Sequence, residues 1–380
     1  MRYLDHATNS WPKSSSVHEA MDRIFSRQDD RSSETIVEQT QELLTSVLGL
    51  PDASPIRFTS SHREALKLAL SLIPWQAGDE IAISTVEQQS LLDLVLGLAR
   101  TKGVRFFVIP ADEQSPFDLE ACETLLRDNP RIRLLAVPHA SAITGCILPV
   151  QEIAQLSRRY GCPLLIDISQ TAGLIPMRWE TVEADMLGCS ANLALGGPRR
   201  LAALCMLPDG LISLQPQNSV LELGSSFDPS ALQTEDLARL TGWTASLRDV
   251  EAMARTGKRQ PGLKYAKKLR NGLMEIPEVT VYHFSEQNRR LPLVSFNVLN
   301  HHPETLAGRL WQEESLWLQA GLHQSRLSHE SLGTIQRGGT LRASLGYHTR
   351  QEDIDILLTA LKRIIVTPLH RATGKIFYIP

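Results

Sequence analysis

Several residues in this chain have the types and placement that chemistry requires. Asp167 closes the apolar run PLLID at residues 163–167, and Gln170 follows shortly after. A carboxylate at the end of a strand could hold a cationic ligand, or could cap backbone amides. Arg63 follows Ser60, Ser61 and His62 at the start of a stretch with helical periodicity. Free backbone N–H groups and the helix dipole favour an anion at such a place. The guanidinium could strengthen that binding, or could fill the anion site with its own side chain. Arg342, in GGTLRASLGYHT, carries a planar fork suited to a carboxylate or to an acidic neighbour. His139 and His323 adjoin strands and read as hydrogen-bonded structural histidines. Cys146 follows Thr144 and Gly145, and a buried cysteine is usually an inert packing group. The histidines His301 and His302, and His323 with His329, lack a ligand spacing, so no metal site is expected.

The elements that must position these residues alternate along the chain. Helical apolar spacing covers 17–27 and 33–50. Strand and helix then alternate: strands at 56–59, 80–84, 104–109, 132–138 and 163–167, with helices at 63–73, 88–102, 119–127 and 150–160. Further short strands are read at 186–189 and 201–206. The strands are apolar throughout, as expected when helices cover both faces of a parallel sheet. Ligands of such sheets sit beyond the carboxyl ends of the strands. That places Ser61 to Arg63, Glu87 and Gln88, His139 to Thr144, Asp167 to Gln170, and Ser190 to Leu193 around one crevice. The pattern fades to loop at 215–228. Helices return at 230–255 and 261–275, followed by strands 279–283 and 293–298, helix 303–314, strand 341–345 and helix 351–365. This second part reads as α+β, and 367–380 as an irregular extension.

Composition narrows the function classes. The chain has 380 residues, 42% of them hydrophobic, enough for a large domain and a smaller one. The formal net charge of −3, without a dense Lys/Arg stripe, argues against nucleic acid as a partner. Five cysteines with no Cys-x-x-Cys pair point to buried free thiols and a reducing compartment. The opening MRYLDHATNSWPK lacks the apolar core of a signal peptide, and no apolar run reaches the ~18 residues of a membrane span. A cytoplasmic, non-membrane protein is expected.

The order of motifs resembles the class V aminotransferases, most closely their cysteine desulfurase and selenocysteine lyase branch. YLDHATNSWPK resembles the family's YLDNAATSWPK, and FTSSHREALKLAL its FTSNATEALNLAL. HASAITGCILPV is similar to HASNVTGTILPI, and LLIDISQTAG to the family's Asp-x-x-Gln strand end. AGLHQSRLSHESLGT and GGTLRASLGYHT are similar to AGLHCAPLAHRTLGT and GGTVRVSPGYFNT. The resemblance implies a fold-type I pyridoxal-phosphate (PLP) transferase. Its large domain, about 16–250, would hold a mostly parallel seven-stranded sheet flanked by helices. Residues 1–15 and 251–380 would form a smaller α+β domain.

The same resemblance assigns residues to roles. Asp167 matches the partner of the pyridinium nitrogen, Gln170 the glutamine by the ring hydroxyl, and Ser190 a phosphate contact. Arg342 matches the clamp on the substrate carboxylate, and His323 precedes the nucleophile. In GCSANLALGGP, however, the Schiff-base lysine falls on Leu193 and the histidine before it on Asn192. The ring-stacking histidine falls on Gln88, the asparagine of His-Ala-Ser-Asn on Ala142, and the phosphate threonine on Arg63. The nucleophilic cysteine falls on Gln324, and a phosphate threonine lent by a neighbouring subunit falls near Trp243. Leucine has no amine to form an aldimine, and an amide accepts no persulfide sulfur. The resemblance therefore implies a homologue without Schiff-base chemistry, with PLP at most a weak non-covalent ligand. It would act as a homodimer, or with an active paralogue or a sulfur acceptor protein, in sulfur or selenium metabolism. The alternatives are changed chemistry on a carboxylate or anion, using Arg63, Arg342, Asp167 and His323, and a surviving PLP-dependent lyase or transferase. Cys146 is the weakest candidate for a replacement sulfur acceptor.

Overall fold

A computed structural model describes the chain except for residues 53, 112–114, 208–228, 257–260, 284–288 and 367–380. The expected loop at 215–228 and the tail 367–380 lie outside the described residues. In chain order the elements begin with β1 (Arg2–Tyr3), α1 (Ser15–Phe25), α2 (Ser33–Leu48), β2 (Ile56–Thr59), α3 (His62–Ser71), β3 (Glu80–Ser84) and α4 (Gln89–Lys102). They continue with β4 (Arg105–Ile109), α5 (Leu119–Asp128), β5 (Ile132–Pro138), α6 (Val150–Arg159), β6 (Leu164–Asp167), β7 (Met186–Ser190) and β8 (Ala202–Met206). The remainder comprises α7 (Thr234–Arg255), α8 (Pro261–Met274), β9 (Val279–Tyr282), β10 (Leu293–Val298), α9 (Pro303–Glu314), β11 (Leu316–Trp317), β12 (Gln319–Gly321), α10 (Arg326–Ser331), β13 (Thr340–Ser344) and α11 (Gln351–Val366).

Seven strands form the main sheet in the order β2-β8-β7-β6-β5-β3-β4. All its pairings are parallel except those of β8, which runs antiparallel to both β2 and β7. Alternate residues feed two separate cores. Ala82, Leu135, Val137 and Ile166 pack on one face; Ile81, Ile83, Leu134, Ala136 and Leu165 pack on the other. Both faces are dry, which is why the strands carry no polar alternation. The edge strand β4 departs most, with Arg105 and Val108 exposed, and β5 exposes Arg133.

Local signals set the helix ends. Ser32 caps α2 by accepting from the Thr35 amide, and Gly49 at φ 63° ends it in the left-handed region. Ser61 caps α3 in the same manner, accepting from the Glu64 amide. The helix α7 packs against α1 and α2, with the Thr40 and Thr244 hydroxyls 2.8 Å apart between them. Trp243 on α7 is fully buried, edge-on to Phe58. Its side chain belongs to this core.

The second sheet has the order β12-β13-β10-β9, with every pairing antiparallel. Its core joins Leu269, Phe296, Leu341 and Leu357 with Leu4 from the chain's start. Leu4 is brought there because β1 pairs in parallel with β11. All five cysteines are free and buried. No helix among the described residues is long and apolar enough to cross a membrane.

Candidate active site

The crevice lies where the sheet order reverses, since the chain leaves β3 for the edge strand β4 and returns on the other side at β5. Asp167 ends β6 between Pro138 of β5 and Gly188 of β7. Its Oδ1 accepts from the Ser169 amide at 2.9 Å. The same oxygen lies 3.1 Å from Nε2 of His62, the first residue of α3. The contact is an ion pair when the imidazole is protonated. The imidazole passes over Gly188, with Nε2 4.0 Å from where a side chain there would begin. Burial alone would raise the Asp167 carboxyl, but the charge of His62 and the Ser169 amide hold it below the usual carboxylate range. Burial would likewise lower the His62 imidazole, and the Asp167 carboxylate instead raises it.

Glu87, in the turn after β3, stands behind this pair. It is buried, accepts from the Ser84 hydroxyl at 3.0 Å, and is pushed well above the carboxylate range by burial, with Asp167 adding to the effect. Gln88 is the N-cap residue of α4 but makes no side-chain cap bond. The next amide, of Gln89, donates to the Gln324 carbonyl at 2.6 Å. His323 and Gln324 both have positive φ, at 47° and 55°, an uncommon conformation for side-chain-bearing residues. The loop is held there by Ser325, whose hydroxyl donates to the Glu87 carbonyl, and by His323 Nε2, which is 3.0 Å from both Thr340 oxygens. The Gln324 side chain is exposed.

Ser190, at the end of β7, donates its hydroxyl to Asn192 Oδ1 at 2.6 Å. The Asn192 carbonyl accepts from the Ser10 hydroxyl at 3.0 Å and from Lys13 Nζ at 3.2 Å. Burial, aided by Arg199, lowers the Lys13 amine to about 7. Leu193 offers an alkyl side chain to a cavity of about 200 Å³ that Leu174, Leu195, Val250 and Leu291 also line. The turn beyond it is fixed by packing. A side chain at Gly197 would meet Trp243 Cδ1 at 2.8 Å, and Gly196 has φ 72°. Gln170 donates to the Ala7 carbonyl at 3.0 Å and so ties down the chain's start.

The two arginines lie apart. Arg63 is half-exposed and leans across to α4, with Nη1 3.3 Å from the Ser90 carbonyl and 3.6 Å from Asp93. Arg342 is buried: Nη1 donates to the Ala142 carbonyl at 2.9 Å, and Nη2 to Thr8 Oγ1 at 2.8 Å and Asp5 Oδ1 at 3.3 Å. His139 is a structural histidine, 2.8 Å from the Thr171 hydroxyl and edge-on to Trp179. Cys146 is fully buried. Among the described residues no group of three His, Cys, Asp or Glu side chains is gathered to hold a metal ion.

Asp167 and Ser190 end neighbouring strands, with Ser169 Oγ accepting from the Ser190 amide at 3.1 Å, Asn192 is bonded to Ser190, and Gln88 begins α4. His62 and Lys13 were missed. The only available signal for His62 was its place at a helix start facing the sheet's carboxyl edge.

The sequence pattern of class V aminotransferases matches residues 15–357. The chain belongs to that family. A probable cysteine desulfurase of Mycolicibacterium paratuberculosis is 26% identical over 93% of this chain, which spans 51% of that protein's own length. A probable cysteine desulfurase of Synechocystis is 26% identical over 82% of this chain and 76% of its own. The apo structure of a cysteine desulfurase from Thermococcus onnurineus superposes with a TM-score of 0.82 at 23% identity, covering 96% of this chain and 94% of that one. The class V family is PLP-dependent, and this likeness establishes the fold-type I architecture.

Proposed function

We propose that this class V aminotransferase-family chain has given up Schiff-base chemistry and works in sulfur or selenium metabolism through a protein partner. The observation that carries the reading is Leu193, an alkyl side chain where the family's motif places its lysine. An internal aldimine needs an amine at that position, and no rotamer of leucine supplies one. The rest of the crevice agrees. Asp167 faces an imidazole of its own chain, the fork of Arg342 is engaged by Asp5, Thr8 and Ala142, and the Gln324 side chain is an exposed amide. The residues present do not fit a covalently held PLP. The engagement of Arg342 and Asp167 within the chain weighs against the anionic-ligand reading, and Leu193 weighs against a surviving lyase or transferase.

Incubation with PLP, borohydride reduction and mass analysis is expected to leave the chain without a stoichiometric pyridoxyl adduct. Sulfide release from cysteine is expected to match a blank. A stoichiometric adduct accompanied by cysteine turnover would overturn the reading.

The reading includes a homodimer, or a heterodimer with an active relative. An obligate interface buries upwards of ~2,000 Å², and leaving such a surface in water promotes aggregation. Light scattering at micromolar concentration is expected to give twice the chain mass. A stable soluble monomer would remove the dimer.

A further inference from the structure

We infer that His62 occupies the seat at Asp167 as a ligand supplied by the chain itself, and that this imidazole bars aromatic nitrogen bases from the crevice. The inference rests on the preceding reading only in taking Asp167 as the ring's seat. It concerns non-covalent occupancy, which the absence of an amine at Leu193 does not decide.

The geometry has three parts. Ser61 has an extended backbone, with φ −163° and ψ 157°, and caps α3. His62 is consequently the first helical residue, and its ring reaches the carboxyl ends of β6 and β7. There Nε2 stands 3.1 Å from Asp167 Oδ1, beside Gly188 of β7. The third part is enclosure. Asp167 is 8% exposed, and the Gln324 loop is fastened over the neighbouring turn through Gln89 and Ser325.

A protonated imidazole and a protonated pyridine meet the same requirement, a planar ring presenting N–H⁺ to a buried carboxylate. Asp167 cannot serve both. A ring-shaped base entering from solvent must first displace His62, which takes from the buried Asp167 carboxylate the cation of its own chain. Breaking a buried pair in this way is costly, because the remaining charge stays desolvated. The acidic group facing the imidazole is Asp167, and Glu87, which feels the Asp167 charge, is pushed well above the carboxylate range chiefly by burial.

Two probes test this without any aldehyde, so their outcome is separate from that of the borohydride experiment. His62→Ala is expected to be stabilised by millimolar imidazole, read as a rise in thermal midpoint that wild type does not show. It should also bind pyridoxamine 5′-phosphate about 100-fold more tightly than wild type. No stabilisation by imidazole, together with equal affinity of the two proteins for pyridoxamine 5′-phosphate, would overturn the inference. If His62→Ala does not fold, nitrogen-15 spectra of wild type decide. Both ring nitrogens of His62 should be protonated at neutral pH, and Asp167→Asn should remove one proton. A neutral ring in wild type would sink the proposal.

Discussion

Arg342→Leu is expected to lower the stability of the folded chain by about 3–5 kcal/mol, measured by urea unfolding. The guanidinium joins three segments that are far apart in sequence: Asp5 and Thr8 near the chain's start, the Ala142 carbonyl after β5, and β13 on which it sits. Side-chain exposures of 3% and 4% for Arg342 and Asp5 place the pair out of water, where a lone carboxylate is poorly tolerated. Burial already pushes the Asp5 carboxyl upward, and Arg342 pulls against that shift. Removing the arginine leaves Asp5 buried and unpaired and the Ala142 carbonyl without its donor. Arg342→Lys should recover little, since a single ammonium cannot span the fork's acceptors. The double variant Arg342→Leu with Asp5→Leu should recover much of the loss, because the stranded charge is then gone. A loss below about 1 kcal/mol in the single variant would mean that the guanidinium is not committed to the chain and is free for an external carboxylate.

Most of the sheet could be read from the sequence because its signal is local. Runs such as Glu80–Ser84 and Ile132–Pro138 are mostly apolar without alternation, and helices of this part of the chain carry caps at Ser61 and Asp118. The antiparallel direction of Ala202–Met206 could not be read, since five apolar residues have the same composition in either direction. The short strands Arg2–Tyr3, Leu316–Trp317 and Gln319–Gly321, and the six-residue helix Arg326–Ser331, are too brief for any period to register. They exist because partners elsewhere in the chain complete them, Leu316–Trp317 for Arg2–Tyr3 and Thr340–Ser344 for Gln319–Gly321. The crevice divides in the same way. Asp167, Ser190 and Gln88 follow from the rule that ligands lie beyond strand ends. The state of each group depends on non-local pairs: His62 with Asp167, Lys13 with Asn192, Arg342 with Asp5. The motif comparison draws attention to Arg63, at a phosphate position, although its neighbour His62, which stands where the quoted motif has alanine, is the one whose side chain reaches the carboxylate.

Acidification is expected to penalise the fold through its buried neutral histidines, and single variants can isolate that effect. His139 and His329 are each lowered to about 4, first by burial and then by the nearby charge of Arg289 and Arg342 respectively. His6 is also lowered to about 4, and His323 well below its ordinary value, again chiefly by burial. Below the unfolded value of about 6.5, the unfolded chain takes up protons that the folded chain refuses. Stability therefore falls with pH from about 6.5 down to about 4. For fully buried groups such as His139 and His329 the contribution is about 1–3 kcal/mol each. His62, Glu87 and Asp5 act in the opposite sense, because their folded values are raised and they hold protons longer than the unfolded chain does. The net acid limb is thus a difference, and the informative quantity is how one histidine alters it. His329→Gln keeps a side chain able to hydrogen-bond the Thr334 hydroxyl, 2.6 Å from Nδ1 in wild type, but cannot titrate. At pH 7 the variant should be the less stable protein. By pH 4 the gap should have closed by about 1–3 kcal/mol, the amount of linkage removed. His18→Gln, at an exposed helical position, should leave the gap constant and serves as the reference. Parallel stability curves for wild type and His329→Gln across pH 7 to 4 would show that His329 takes up its proton inside the fold and that burial does not keep it neutral.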